Sequence, residues 1–193
     1  MSNSHYFAIH ELLNQLPPEP IEVQVKRPHH RRRPRVRYNG IYFMYQQDET
    51  FKFGDKTYER IVYVGIGNLK SRLNDYARIN VFPPLKQKIE RALAAQKGVL
   101  LDAITPQEVD DYVKSNFTRR ILRISSADEA QKWERTIIPT VAQYSADFIS
   151  RNWLGRWADL PYGIWNTEYT SWPLTLQDKD LLELSELIKT KLS

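Results

Sequence analysis

Residues 38–66 read YNGIYFMYQQDETFKFGDKTYERIVYVGI. The two ends, YNGIYFMYQ and ERIVYVGI, are dense in aromatic and β-branched residues, which suit a pleated, half-buried surface. Between them QDETFKFGDKTY is polar and holds a Gly-Asp turn signal, so an antiparallel hairpin with a long tip is expected. Directly downstream, GNLKSRLNDYA (67–77) supplies good helix formers after Gly65 and Gly67. Strand, Gly-x-Gly and helix in this order open a dinucleotide cradle, in which glycines let the backbone approach a pyrophosphate. The third glycine of that fingerprint falls at position 70, where Lys70 stands. The glycines are therefore expected to shape a strand-to-helix turn, and no nucleotide cofactor is expected.

Upstream, residues 5–16 space Phe7, Leu12, Leu13 and Leu16 as a helix does, and PPEP stops it. IEVQV (21–25) reads as a short strand leading into an irregular basic arm. Downstream, residues 68–78 carry Leu69, Leu73, Tyr76 and Ala77 on one side. A helix over 84–97 starts at Pro84 and stops before Gly98, and one over 106–114 opens with the capping box Thr105 to Glu108. FTRRILRI is the third strand, and Ser126 with Glu129 caps a helix that Pro139 should kink or end. A last helix from about Thr175 carries Leu181, Leu184 and Ile188 on one face. The fold class expected is α/β, with a small three-stranded antiparallel sheet flanked by helices. The divisions are 1–38 (helix and basic arm), 39–155 (central domain) and 156–193 (Trp-rich extension with a helix).

Charge is concentrated. Lys26, Arg27, Arg31, Arg32, Arg33, Arg35 and Arg37 hold seven of the 28 basic residues, leaving 21 against 23 acidic ones elsewhere. No acid falls between Glu22 and Asp48. Such a run suits a polyanion, because each phosphate neutralised releases counterion; a merely solvated segment is the plainer alternative. No apolar stretch approaches the roughly 20 residues of a membrane span, and the N-terminus lacks a secretory pattern, so a cytoplasmic chain with no membrane contact is expected. Cysteine is absent, which removes disulfides, iron-sulfur clusters and thiolate zinc sites. The four histidines, His5, His10, His29 and His30, all precede the hairpin without metal-ligand spacing, which disfavours a His-based active site.

The remaining polar candidates form a series. Gly40-Ile41-Tyr42 begins the first hairpin strand, Tyr63-Val64-Gly65 closes the second, Arg72 follows in the next helix with Tyr76 one turn on, and Glu134 lies in a later capped helix. This order resembles the GIY-YIG nuclease domain over about residues 39–153, and VGIGNLKSRLNDYA in particular resembles the nuclease subunit that makes the 3′ incision in bacterial excision repair. The chain departs from that pattern in a longer gap between Tyr42 and Tyr63, in Ile66 where a lysine would stand, and in Arg72 one residue early.

The resemblance implies metal-dependent hydrolysis of DNA phosphodiesters, in a compact member similar to restriction or phage-type enzymes. Glu134 would hold one divalent cation, Mg²⁺ or alternatively Mn²⁺. Arg72 would meet the charge that builds on the phosphorane-like transition state, and Tyr42 would orient or deprotonate the water. Tyr42 and Tyr63 would line the scissile phosphate, Tyr76 would belong to the catalytic set, Asn152 would be the family's late asparagine, and Lys70 with the arm would contact DNA. A symmetric homodimer is the simplest way to cut both strands. Taken singly, Tyr42 and Tyr63 also fit ordinary strand aromatics, Arg72 and Glu134 ordinary helix charges, and the tryptophans core packing rather than a base-stacking platform. A catalytically idle nucleic-acid-binding module on the same scaffold is the alternative.

Overall fold

The hairpin pairs along its whole length. The computed structural model describes residues 4–21, 39–69, 75–76, 81, 83–124 and 126–192, side chains 39 and 68 excepted. In it β2 (Asn39–Phe53) and β3 (Lys56–Asn68) run antiparallel from the Asn39–Asn68 pair to the Phe53–Lys56 pair, turning at Gly54 and Asp55. The polar stretch read as a loop tip is therefore strand. It folds onto α1 (Ser4–Leu13), where Phe53 stacks on Phe7 at 3.7 Å and Lys56 Nζ meets Glu11 Oε1 at 2.8 Å. Two register shifts interrupt the ladder, after Met44 and after Tyr45, with Asp48 at φ 66° in the longer bulge.

Among the described residues the sheet has four strands, not three. β1 (Glu19–Pro20) pairs with β4 (Phe117–Arg123), and the order is β1-β4-β2-β3, antiparallel throughout. A two-residue strand has no periodicity to read, and its proline is tolerated because β1 lies at an edge. Arg119 Nε reaches Glu19 Oε2 at 3.4 Å and fastens it. Most of IEVQV lies outside the described residues.

Both faces of the sheet are covered. Ile41, Phe43, Tyr45, Ile61, Val64 and Leu122 join a core with α1, α4 (Ala127–Ser145) and α5 (Asp178–Leu192). Tyr42, Met44, Val62 and Tyr63 join a second core with α2 (Pro84–Lys97), α3 (Pro106–Asn116), Trp153 and Trp165. The caps fall where the sequence puts them. Gly98 closes α2 at φ 66°, Thr105 and Glu108 make the full capping box of α3, and Ser126 Oγ accepts the Glu129 N–H at 3.0 Å.

Pro139 neither ends α4 nor breaks it, since the helix continues to Ser145. Trp133, Ile137, Ile138 and Val141 bury its apolar face, which outweighs the missing bond. The hydroxyls of Thr136 and Thr140 also donate to the carbonyls of Lys132 and Thr136, at 3.1 and 2.7 Å. The tryptophans divide: Trp133, Trp153 and Trp165 are buried, whereas Trp157 and Trp172 are exposed. Among the described residues no helix is long and apolar enough to cross a membrane.

The outer edge of β3 is occupied by side chains and by a returning segment. His10, fully buried, accepts the Ile61 N–H on Nε2 at 3.2 Å and donates Nδ1–H to the Tyr6 carbonyl at 2.8 Å. Trp165 N–H donates to the Val62 carbonyl at 2.6 Å. Asn166 bonds Val64 twice, accepting its N–H on Oδ1 at 2.8 Å and donating Nδ2–H to its carbonyl at 2.9 Å. Upstream of this clamp, the buried Arg60–Glu49 pair ties the hairpin to the Ser145 hydroxyl, at 2.7 Å from Arg60 Nη1, and to the Gly163 carbonyl. Glu49 in turn accepts the Ser150 N–H and hydroxyl.

Candidate active site

Three tyrosine rings meet on the second face of the sheet. Tyr42 comes from β2, Tyr63 from β3 and Tyr76 from the helical residues that follow. Tyr42 Oη lies 3.3 Å from Tyr76 Oη. Its ring stands 6.2 Å from that of Tyr63, tilted by 35°, and 5.9 Å from that of Tyr76, edge to face at 72°. Tyr42 faces Gly65 across the strands, and the ring fills the space over that glycine. A Cβ at Gly65 would lie 2.3 Å from Tyr42 Cζ and 2.4 Å from its hydroxyl. Gly65 and Gly67 thus belong to β3, opposite Tyr42 and Gly40, and do not form the expected strand-to-helix turn. The first of them is there because the tyrosine needs bare backbone beneath it.

All three rings are less than one-tenth exposed. Burial, then Tyr42, then the carboxylates of Glu168 and Glu134 push the Tyr63 phenol well above its ordinary value, against a hydrogen bond with Tyr76. Burial also raises the Tyr76 phenol, with Tyr42 and Tyr63 adding to it. Both hydroxyls therefore keep their protons at neutral pH and can act as hydrogen-bond donors.

Two carboxylates act on Tyr63 electrostatically. Glu134 lies half-buried on α4, one residue after buried Trp133. Glu168 follows the segment that clamps the edge of β3. Lys88 of α2 holds the same segment, its Nζ donating to the Trp165 carbonyl at 2.7 Å and to Thr167 Oγ1 at 3.1 Å. Burial lowers the Lys88 pKa, with Glu168 opposing and Arg91 adding.

The structure thus brings together Tyr42, Tyr63, Tyr76 and Glu134. Asn152 lies in an exposed turn, where its N–H donates to Ser150 Oγ at 3.3 Å. The asparagine that meets the tyrosine-bearing strand is Asn166, which the sequence reading missed together with Glu168 and Lys88. Its one sequence signal is a polar residue directly after the apolar pair Ile164-Trp165. Arg72, Lys70 and the basic residues Lys26, Arg27, Arg31, Arg32, Arg33, Arg35 and Arg37 lie outside the described residues. The arginines of β4 are structural: Arg119 pairs with Glu19, and Arg120 pairs with Glu59 and lies over the Tyr45 ring at 5.0 Å.

A hollow of about 340 Å³ is lined by Leu93, Lys97, Glu108, Asp111, Tyr112 and Asn116, away from the tyrosines. Among the described residues no group of three or more His, Asp or Glu side chains forms a ready metal cage. One or two carboxylates completed by phosphate oxygens and water is nevertheless how Mg²⁺ is commonly held, and Glu134 and Glu168, both within electrostatic range of Tyr63, are donors of that kind. Comparisons with family models, curated proteins and solved structures find no match.

Proposed function

We propose that the chain is a metal-dependent endonuclease of GIY-YIG type that hydrolyses DNA phosphodiester bonds. The observation that carries this reading is the convergence of Tyr42, Tyr63 and Tyr76 into one hydroxyl cluster with Glu134 in electrostatic range, from positions 92 residues apart in sequence (42 to 134). Glu134 would hold a single Mg²⁺, which when bound polarises the scissile phosphate and stabilises its developing charge.

The chain's own groups do the rest. Tyr63 and Tyr76 retain their protons, and Tyr76, 3.3 Å from Tyr42 Oη, can donate to it. That donation favours a Tyr42 oxygen that accepts a proton from the attacking water. Arg72, assigned by its place in the motif, offers fixed positive charge to the transition state. The basic run at 26–37 attracts the polyanion, and a homodimer would present two sites to the two strands.

Burial of all three tyrosine rings favours one other reading, an idle DNA-binding module whose tyrosines are only core. Plasmid incubated with Mg²⁺ separates the two. The nuclease reading expects the parent to cut and Glu134→Ala to lose about 100-fold or more of the rate while still retarding DNA in a gel. Retarded but intact plasmid with both proteins establishes the module instead.

A further inference from the structure

The residues directly after Glu134 and Glu168 belong to one half-buried cluster that ends in the exposed Trp172. Arg135 follows Glu134 on α4, and Tyr169 follows Glu168. The Arg135 guanidinium carbon lies 5.8 Å from the Tyr169 ring centre and 5.5 Å from that of Trp172. Tyr169 and Trp172 meet edge to face, 4.8 Å apart at 74°. The turn that presents them is fixed, with Tyr169 at φ 62° and its carbonyl accepting the Trp172 N–H at 3.1 Å. Just before it, Asn166 is bonded to Val64 on both sides of the peptide.

Trp172 keeps 41 % of its surface exposed although a guanidinium and a tyrosine lie against it. Arg135 Nε is buried with no hydrogen-bond partner among the described residues. An indole with a guanidinium over its ring and a tyrosine against it, yet still open to solvent, has lost much of its side-chain freedom in advance, so a flat partner laid on its open side meets little further entropic cost. Flat aromatic partners next to a guanidinium are what nucleobases require, since bases stack on aromatic faces and on arginine planes.

We propose that Trp172, Tyr169 and Arg135 form a shelf on which an unpaired nucleobase stacks. The identity of the polymer rests on the nuclease reading; the shelf does not depend on catalysis. A paired base inside a duplex has both faces covered by its neighbours, so the shelf takes a base that is unpaired, terminal or turned out of the helix.

The test is a binding titration of the full chain in EDTA, where no cleavage occurs, with a fluorescein-labelled single strand of about 12 nucleotides and a blunt duplex of the same sequence. Trp172→Ala is expected to weaken single-strand binding about fivefold or more, Trp172→Phe to keep most of the affinity, and the duplex to be far less affected. Equal single-strand affinity for the parent and Trp172→Ala overturns the shelf. So does an equal loss with alanine and phenylalanine, an equal loss on duplex, or a parent that binds no single strand. Cutting of plasmid by the parent in Mg²⁺ decides the nuclease reading independently, so failure of the shelf and failure of that reading are told apart.

Discussion

Gly65 and Tyr42 are one feature seen from two strands. The tyrosine ring lies where any Cβ on its cross-strand partner would stand, so the GIY and YVG tripeptides need each other sterically as well as in chemical terms. Gly65→Ala should therefore drive the Tyr42 ring away from Tyr76, lowering the unfolding free energy by about 1–3 kcal/mol in urea melts and slowing plasmid cutting with it. An alanine variant with unchanged melt and unchanged rate would show that the ring is free to move. Much at this scale was legible in sequence: Tyr42, Tyr63, Tyr76 and Glu134 were singled out from motif order, and the structure brings them together. Asn166 was not legible, because its partner is backbone about 100 residues earlier, and a backbone partner leaves no pattern in side-chain spacing.

Among the elements, β3 supplies Tyr63, and two separate parts of the chain hold its outer edge. His10 of α1 and the Trp165-Asn166 clamp each satisfy backbone groups that an edge strand would otherwise leave open, while the Arg60–Glu49 pair joins β3 to β2 through side chains. The His10 contact gives this arrangement a pH signature. Burial lowers the His10 pKa to about 3, with the Tyr6 carbonyl opposing, so the folded chain keeps the ring neutral where the unfolded chain, near 6.5, takes up a proton. The unfolded state then binds more protons between those values, and stability falls as pH drops from about 6.5 toward about 3.

His10→Ala should remove that dependence. It should also cost about 2–4 kcal/mol at pH 7, from the cavity and the unpaired Ile61 N–H. Denaturant melts across this pH range check both, and a variant with the parent's acid slope would place the titration elsewhere. Helix limits were legible wherever a cap fixed them, as at Thr105 and Gly98, because capping is local chemistry. The passage of α4 through Pro139 and the two-residue strand β1 were not, because burial and edge pairing decide them.

For the molecule as a whole, the proposed site draws on β2, β3, α4 and the segment after Trp165. Glu134 and Glu168 both act on Tyr63 there, while the concentrated positive charge belongs to the run at 26–37. Under the proposed function, a polyanion would be attracted by the basic run, and the carboxylates would offer it a cation. The tyrosine cluster is central to this account. The direct measurement is the single-turnover rate of supercoiled plasmid cleavage in Mg²⁺ for the parent and for Tyr42→Phe. The parent should cut, and Tyr42→Phe should be slower by about 100-fold or more. Plasmid left intact by the parent, or cut equally fast by Tyr42→Phe, would contradict it.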